Sequence, residues 1–446
     1  MRIKIQEKKL FKKLINRNFN FELKDIDSLC IDSRLVQKND IFVPIKGNHI
    51  DPHNFISEVL TKNPAAIFSE KEFKNNNIIK VSSTKKILHQ ISKKWIKNFK
   101  QPTIAITGSN GKTTTKEMLI NIFKSVYKIN NTKGNYNSLI GLPINLFNFS
   151  LDAELNIIEM GASKPKEIND LCQITKPDFS LITNVHNAHI GNFESFEELL
   201  ETKLAIFKNT LASGKIFENN DDINISKYCK NLKNKISFGF KNSTVDFFGK
   251  WEIKNNKEQF SINGKKILNP YLNKIMAHNM LASYSISSTY GINHQTIIEA
   301  LQKFNFIKGR GRHIKKNGYL IIDDTYNANF ESFKIGIESF MNMYCEGRKI
   351  LVIGDMKELG LQSKQNHISL GKYINKKNPD LLFSFGDLIF DTTSQIKNKK
   401  TNFKHFKDIK TLTDNLKSDL MKGDAIYFKA SRSLKFENII KALWYI

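Results

Sequence analysis

Apolar and polar positions along the chain fall into three successive patterns. Up to about residue 98, short strand-like runs recur: "SLCIDS", "DIFVPI", "AAIFSE" and "NIIKVSS". From about 99 to 311, apolar β-branched runs alternate with helical stretches, the signature of a parallel α/β sheet. The fragment "KGRGRH" interrupts this, and "YLIIDD", "KILVIGD", "LLFSFGD" and "AIYFKAS" follow as four runs separated by helical stretches. The pattern predicts an α/β protein of three domains, 1–98, 99–311 and 312–446, the last a doubly wound, Rossmann-like sheet. Ligands of such sheets gather at the carboxyl ends of the strands, so the residues after each strand carry the candidate chemistry.

The first such end is "TIAITGSNGKTTTKEMLINIF". Residues 103–106 read as a buried strand. Gly108 and Gly111 permit a tight turn whose backbone N–H groups converge on an anion, with Ser109 and Asn110 between them. The helix that follows, with Met118, Leu119, Ile122 and Phe123 at inward spacing, adds partial positive charge at its N-terminus. Lys112 is placed to reach a terminal phosphate, Thr113 to hold Mg²⁺ through its hydroxyl, and Thr114 to continue the cradle. The spacing is GxxGKT, shorter than a strict Walker A loop, with Ile106 where that loop has glycine.

Two further strand ends carry metal-binding residue types. "LNIIEMGAS" ends on Glu159, and "FSLITNVHNAHIGNF" is followed by His186 and His189. Carboxylate and imidazole leaving neighbouring strands can meet at a divalent ion, although either also serves as an ordinary strand-end or loop residue. In "SFEELLETKLAIF", Ser195 and Glu198 predict a capping box, and Phe196, Leu199, Leu200, Ile206 and Phe207 form an apolar stripe. Lys203 lies on that stripe. A bare buried ammonium is costly, which leaves two readings: a side chain snorkelling to the rim, or a chemically modified lysine.

Composition narrows the class. The 446 residues are 40% hydrophobic, with only 9 prolines and 22 glycines, so sizeable cores form and disorder is excluded. The four cysteines are scattered without a CxxC pair, which fits a reducing compartment and no structural zinc. No run approaches the roughly 18 apolar residues of a membrane span, and the N-terminus lacks the apolar core of a signal peptide, so a cytoplasmic protein is expected. The net charge of +26 is spread through Lys-rich segments such as "KNLKNK" and "QIKNKK" rather than gathered on one stretch. It predicts no nucleic-acid partner.

The phosphate loop resembles the "TGTNGKT" of Mur ligases and folylpolyglutamate synthetases, both ATP-dependent amide-forming enzymes. The resemblance to the Mur ligases extends over nearly the whole chain. "IDSRLVQKNDIFVPIKGNHIDPHNFI" is similar to their N-terminal uridine-nucleotide domain, with Ser33, Arg34 and Gly47. "GNYNSLIGLPINL" resembles a stretch that places Asn135 and Asn137 near nucleotide and substrate. "AHIGNFESFEELLETK" resembles the segment whose lysine is carbamylated, making Lys203 the candidate. "IIDDTYNANFES", "VIGDMKELG" and "FKASRSLKFE" resemble C-terminal signatures of the branch that adds D-Ala-D-Ala, and no "DNPR"-like stretch of the diaminopimelate- or lysine-adding branch is present.

The resemblance implies a three-domain ligase that joins D-Ala-D-Ala to UDP-N-acetylmuramoyl-tripeptide through an acyl phosphate, as a monomer. It implies ATP and two Mg²⁺ ions, one held by Thr113 and Glu159, the other by His189 and carbamylated Lys203. Asn279 is expected at the adenine, Arg312 and Asp324 at the nucleotide, and Asn327 and Asn329 at the incoming dipeptide. The sequence departs from the family pattern at Ser138, at Ile275-Met276, at Phe330 and at Ala430. A folylpolyglutamate-type ligase shares the loop but not the first 98 residues. A nucleic-acid-dependent P-loop ATPase leaves the GxxGKT spacing and the Lys203 helix without a role.

Overall fold

The computed structural model describes residues 1–187, 190–254, 257–268 and 274–443; of residues 253, 254, 257, 258 and 275 only the backbone is described. Three sheets follow one another along the chain. The first runs Arg2–Lys4, Ser28–Cys30, Ile41–Phe42, Ala66–Ser69 and Ile78–Lys80 in spatial order, with only the first pair antiparallel. Its last four strands are the short runs that the sequence pattern marked; Arg2–Lys4 has a single apolar residue between two cationic ones and so no apolar run to mark it.

The second sheet has nine strands. Third from one edge, Thr103–Thr107 lies between Leu155–Glu159 and Phe179–Ile182, parallel to both. The register pairs Ile106 with Glu159 and Thr107 with Ile182, so three neighbouring strands end at one level. Antiparallel hairpins, Phe247–Lys254 with Lys257–Ile262 and then Lys265–Ile267, close the far edge. The third sheet has six strands. Four are the predicted apolar runs; the antiparallel edge strand Arg312–Lys316 and the half-exposed edge strand Asn402–Phe406 lack an apolar signature.

The first two sheets are not built on separate cores. One apolar cluster contains Phe11 and Trp95 from the N-terminal segment together with Phe147 from the central segment. The Phe11 ring meets that of Phe147 edge-on at 5.1 Å and that of Trp95 at 5.7 Å. The Trp95 indole Nε1–H, which has no water to serve it, donates to the Leu146 carbonyl at 2.7 Å. Truncating this side chain removes both packing and hydrogen bond at the seam. Trp95→Ala is expected to cost about 3–5 kcal/mol, read as an earlier urea midpoint for the tertiary signal of the joined first and second units, with the third unit's transition unmoved.

Candidate active site

The phosphate loop starts where Thr103–Thr107 ends. Gly108 has φ +144°, and a Cβ there would fall 2.0 Å from the Thr183 hydroxyl, so close approach to the neighbouring strand requires glycine. The loop is fastened to the segment after Phe179–Ile182. Ser109 N–H donates to the Asn184 carbonyl (2.9 Å), Asn110 N–H to Asn184 Oδ1 (2.9 Å), and the Thr183 hydroxyl to the Asn110 carbonyl (2.6 Å). The Ser109 hydroxyl exchanges hydrogen bonds with the backbone of His186. Gly111, with φ +85°, caps the helix Lys112–Phe123, whose first intrahelical bond is Thr115 N–H to the Gly111 carbonyl. The amides of the first turn are thus left for a ligand.

Around this loop lies a cavity of about 400 Å³ between the second and third sheets. Ser109, Asn110, Gly111, Lys112 and Thr114 line it from the loop, Asn135, Asn137, Glu159 and Asn279 from the rest of the central unit, and Asp324, Asn327 and Asn329 from the C-terminal unit. Asn279 packs against Gly111, where an added Cβ would sit 2.5 Å from its Oδ1. Asn329 caps the helix Phe330–Asn342 and donates through Nδ2 to Oδ1 of Asn110 at 2.9 Å, a direct bond between the third unit and the phosphate loop. Asp324 accepts from the Tyr427 hydroxyl and the Lys429 ammonium, both at 2.7 Å.

Glu159 is the floor of the site and is 1% exposed. Its Oε1 accepts from the Thr113 hydroxyl (3.0 Å) and from Asn137 Nδ2 (2.6 Å). Its Oε2 is buried without a hydrogen-bond donor. Lys112 Nζ donates to the carbonyls of Gly108 (2.6 Å) and Ser109 (3.2 Å), while Lys203 Nζ, on the helix Phe196–Lys208, lies 3.5 Å from the same Gly108 carbonyl. Burial pushes Lys112 down to about 8, against the pull of Glu159 and with a further push from Arg310. Burial, with the nearby charge of Lys112, pushes Lys203 down to about 7.

Some expected residues stand elsewhere. Arg312 is exposed on the edge strand and does not line the cavity; Arg310, two residues earlier, does, with its guanidinium 3.8 Å above the Tyr326 ring. Arg310 stands in the turn before the strand, between Gly309 (φ +78°) and Gly311 (φ +79°), whereas Arg312 opens the strand itself, so the turn and not strand alternation sets the two arginines apart. Ser33, Arg34 and Gly47, expected at the uridine nucleotide, lie in the first unit and do not line this cavity; Arg34 is exposed and forms a two-point bond to Asp32. His189 lies outside the described residues. Ser195 caps its helix, accepting from Glu198 N–H at 3.2 Å, but the Glu198 carboxylate accepts from Glu194 N–H, one residue before the position a reciprocal box needs. Of the departures, Ser138 and Met276 line the cavity, Ala430 is buried beside Gly354, and the side chain of Ile275 is not among those described. Phe330 borders a smaller cavity of about 270 Å³ that shares His186 and Asn329 with the first.

The sequence reading missed Thr183 and Asn184, polar residues with no motif of their own, and Arg310, which stands in "KGRGRH" two residues before the arginine expected at the nucleotide. It also passed over Lys116, although its spacing from Thr113 and Leu119 puts it on the inward face of the helix, the argument already applied to Lys203.

Residues 106–287 match the Mur ligase middle domain and residues 309–432 the Mur ligase, glutamate ligase domain. The UDP-N-acetylmuramoyl-tripeptide–D-alanyl-D-alanine ligase of Bacillus subtilis is 30% identical over 96% of this chain and 95% of its own length. That of Buchnera aphidicola subsp. Baizongia pistaciae is 34% identical over 94% and 92%. The chain belongs to the Mur ligase family. The crystal structure of MurF ligase from Thermotoga maritima in complex with ADP superimposes with a TM-score of 0.84 at 31% identity, covering 95% of this Mur ligase and 98% of that chain. MurF from Acinetobacter baumannii shares the fold, with a TM-score of 0.87 at 24% identity over 98% of both chains.

A buried Lys203 should leave a trace in the stability of this Mur ligase. Between pH about 7 and its ordinary value of 10.5 the unfolded chain holds a proton at this position that the folded chain has lost. Stability therefore rises with pH through that window, and the penalty is fully present below about 7. In CO₂-free buffer the Tm of the wild type is expected to climb towards that of Lys203→Met between pH 7 and 9; parallel curves would contradict the burial of a bare amine.

Proposed function

We propose that this Mur ligase joins D-alanyl-D-alanine to UDP-N-acetylmuramoyl-tripeptide with consumption of ATP. The observation that carries the reading is the full-length similarity to ligases of that name, together with a phosphate loop intact in the folded chain. The tripeptide carboxylate attacks the γ-phosphate of ATP and displaces ADP, giving an acyl phosphate. The dipeptide amine then attacks the acyl carbon, loses a proton and expels phosphate, leaving UDP-N-acetylmuramoyl-pentapeptide. Both steps crowd anions together, so the protein's task is positioning and charge neutralisation.

We assign the β- and γ-phosphates to the loop from Gly108 through Thr114, with Lys112 released from its own loop carbonyls to meet them. Asn279 and Asp324 are assigned to the rest of the nucleotide. Arg310, which lines the cavity, joins Arg312 as a candidate for contact on closure. Asn135, Asn137, Asn327 and Asn329 are assigned to the peptide substrates, with the dipeptide at Asn327 and Asn329, and Ser33, Arg34 and Gly47 to the uridine nucleotide. On this reading the units 1–98, 99–311 and 312–446 serve in turn the uridine nucleotide, ATP and closure.

Thr113 and Glu159 fit a hard divalent cation: both offer oxygen, and one oxygen of Glu159 is buried without a donor. They would hold one Mg²⁺; His189 and a carbamylated Lys203 would hold a second. When bound, these ions would neutralise phosphate charge. Lys203 supports the carbamate assignment because only the neutral amine attacks CO₂, forming the N–C bond and releasing a proton, and its depressed pKa of about 7 supplies that form near neutrality. Among the described residues no helix is long and apolar enough to cross a membrane, and the four cysteines are free. With both nucleotide substrates found inside cells, a cytoplasmic monomer is our reading.

Lys112→Ala is expected to lose phosphate release driven by D-Ala-D-Ala and tripeptide by at least about a thousandfold, while binding of the UDP-linked substrate, followed by calorimetry, persists. Lys203→Ala should be nearly inactive and regain part of its rate in millimolar formate or acetate. Full activity of Lys203→Ala would remove this lysine from the metal assignment.

A further inference from the structure

One turn beyond Lys112, the phosphate-loop helix carries a second lysine that the mechanism above leaves unused. Lys116 is fully buried, with 0% of its side chain exposed, and is among the largest enclosed side chains of the protein. An enclosed ammonium is tolerated only when it is paired. Its Nζ donates to the carbonyls of Thr132 (2.9 Å) and Gly134 (3.2 Å), and lies 3.1 Å from Glu117 Oε1 and 3.7 Å from Glu159 Oε2.

Three of these four partners belong to the site. Thr132 accepts the Glu159 backbone N–H on its hydroxyl at 3.0 Å, and Gly134 leads directly into Asn135 and Asn137. Asn137 in turn donates to Glu159 Oε1. The two oxygens of Glu159 are therefore treated differently. Oε1 is fixed by two hydrogen bonds, while Oε2 faces the Lys116 charge at 3.7 Å with no donor committed to it. An ion pair without a hydrogen bond orients the carboxylate yet leaves that oxygen's lone pairs available. Carbonyl hydrogen bonds, with Glu117 at 3.1 Å as counter-charge, would satisfy a lysine that only filled the core; they would not require its charge to sit 3.7 Å from Glu159 as well.

We propose that Lys116 is a positioning residue of the ATP site: its ammonium ties Glu159 and the 132–137 segment to the phosphate-loop helix, and so sets the carboxylate in the orientation that takes a divalent cation beside the nucleotide. The inference rests on the reading that Glu159 binds Mg²⁺. Lys116 touches neither substrate nor metal; it acts through Glu159.

The test measures ADP binding by titration calorimetry with and without Mg²⁺, so it does not depend on turnover. Wild type is expected to bind ADP more tightly with Mg²⁺, and Glu159→Gln to lose that gain. Lys116→Met, which keeps the volume without the charge, is expected to lose at least tenfold of the Mg²⁺-dependent gain while its Mg²⁺-free Kd for ADP stays within twofold of wild type. Lys116→Gln can keep the hydrogen bonds to Thr132 and Gly134, and is expected to lose the gain equally. If either variant folds and retains the wild-type Mg²⁺ gain while Glu159→Gln loses it, the positioning role is overturned. If neither folds, Lys116 serves the fold and the proposal is likewise overturned. If Glu159→Gln keeps the gain, the metal reading of Glu159 fails first and takes this proposal with it.

Discussion

The site depends on a single constraint of register. Three adjacent parallel strands of the central sheet end at one level, with Ile106 beside Glu159 and Thr107 beside Ile182. The chain leaves the sheet there as phosphate loop, carboxylate and the Thr183–His186 segment, all within hydrogen-bonding reach. A slip of one residue in either neighbour would turn Glu159 to the opposite face or lift Thr183 off Asn110. Gly108 records how close this approach is, since any side chain there would collide with Thr183.

Positive charge is then gathered beneath that loop against the interests of stability. Lys116 and Lys203 are enclosed, Lys112 shares a carbonyl with Lys203, and Glu159 is the anion set among them. Among the described residues Lys203 has no carboxylate partner of its own, and burial lowers its proton affinity. An arrangement that strains the empty protein is one that a polyanion relieves, because the cationic field is in place before the phosphates arrive. The same shortage of counter-charge favours conversion of Lys203 into an anion, as proposed above.

The units around the central sheet are joined in two different ways. The N-terminal unit shares an aromatic core with it through Phe11, Trp95 and Phe147, which makes that junction rigid. The C-terminal unit meets it by polar and small-residue contacts: Asn329 on Asn110, and Gly191 so near Gly360 that a Cβ on the first would lie 2.5 Å from the backbone of the second. Contacts of this kind are easily remade, which suits the closure over ATP proposed for this unit.

Much of this was written in local sequence. The GxxGKT turn, the apolar run ending on Glu159, and Lys203 on the apolar stripe of a capped helix each signal their surroundings within a dozen residues, because strand burial, helix periodicity and glycine conformation are local properties. Tertiary structure alone decided what meets what. That Arg310 rather than Arg312 faces the cavity follows from where an edge strand begins; that Lys116 pairs with Glu159, 43 residues away in "KTTTKE" and "IIEMG", follows from packing a helix on a neighbouring strand. Thr183, Asn184 and Asn329 gain their roles only because the sheet and the closing unit bring them to the loop. Contacts between distant segments depend on register and domain placement, and no short window of sequence encodes either.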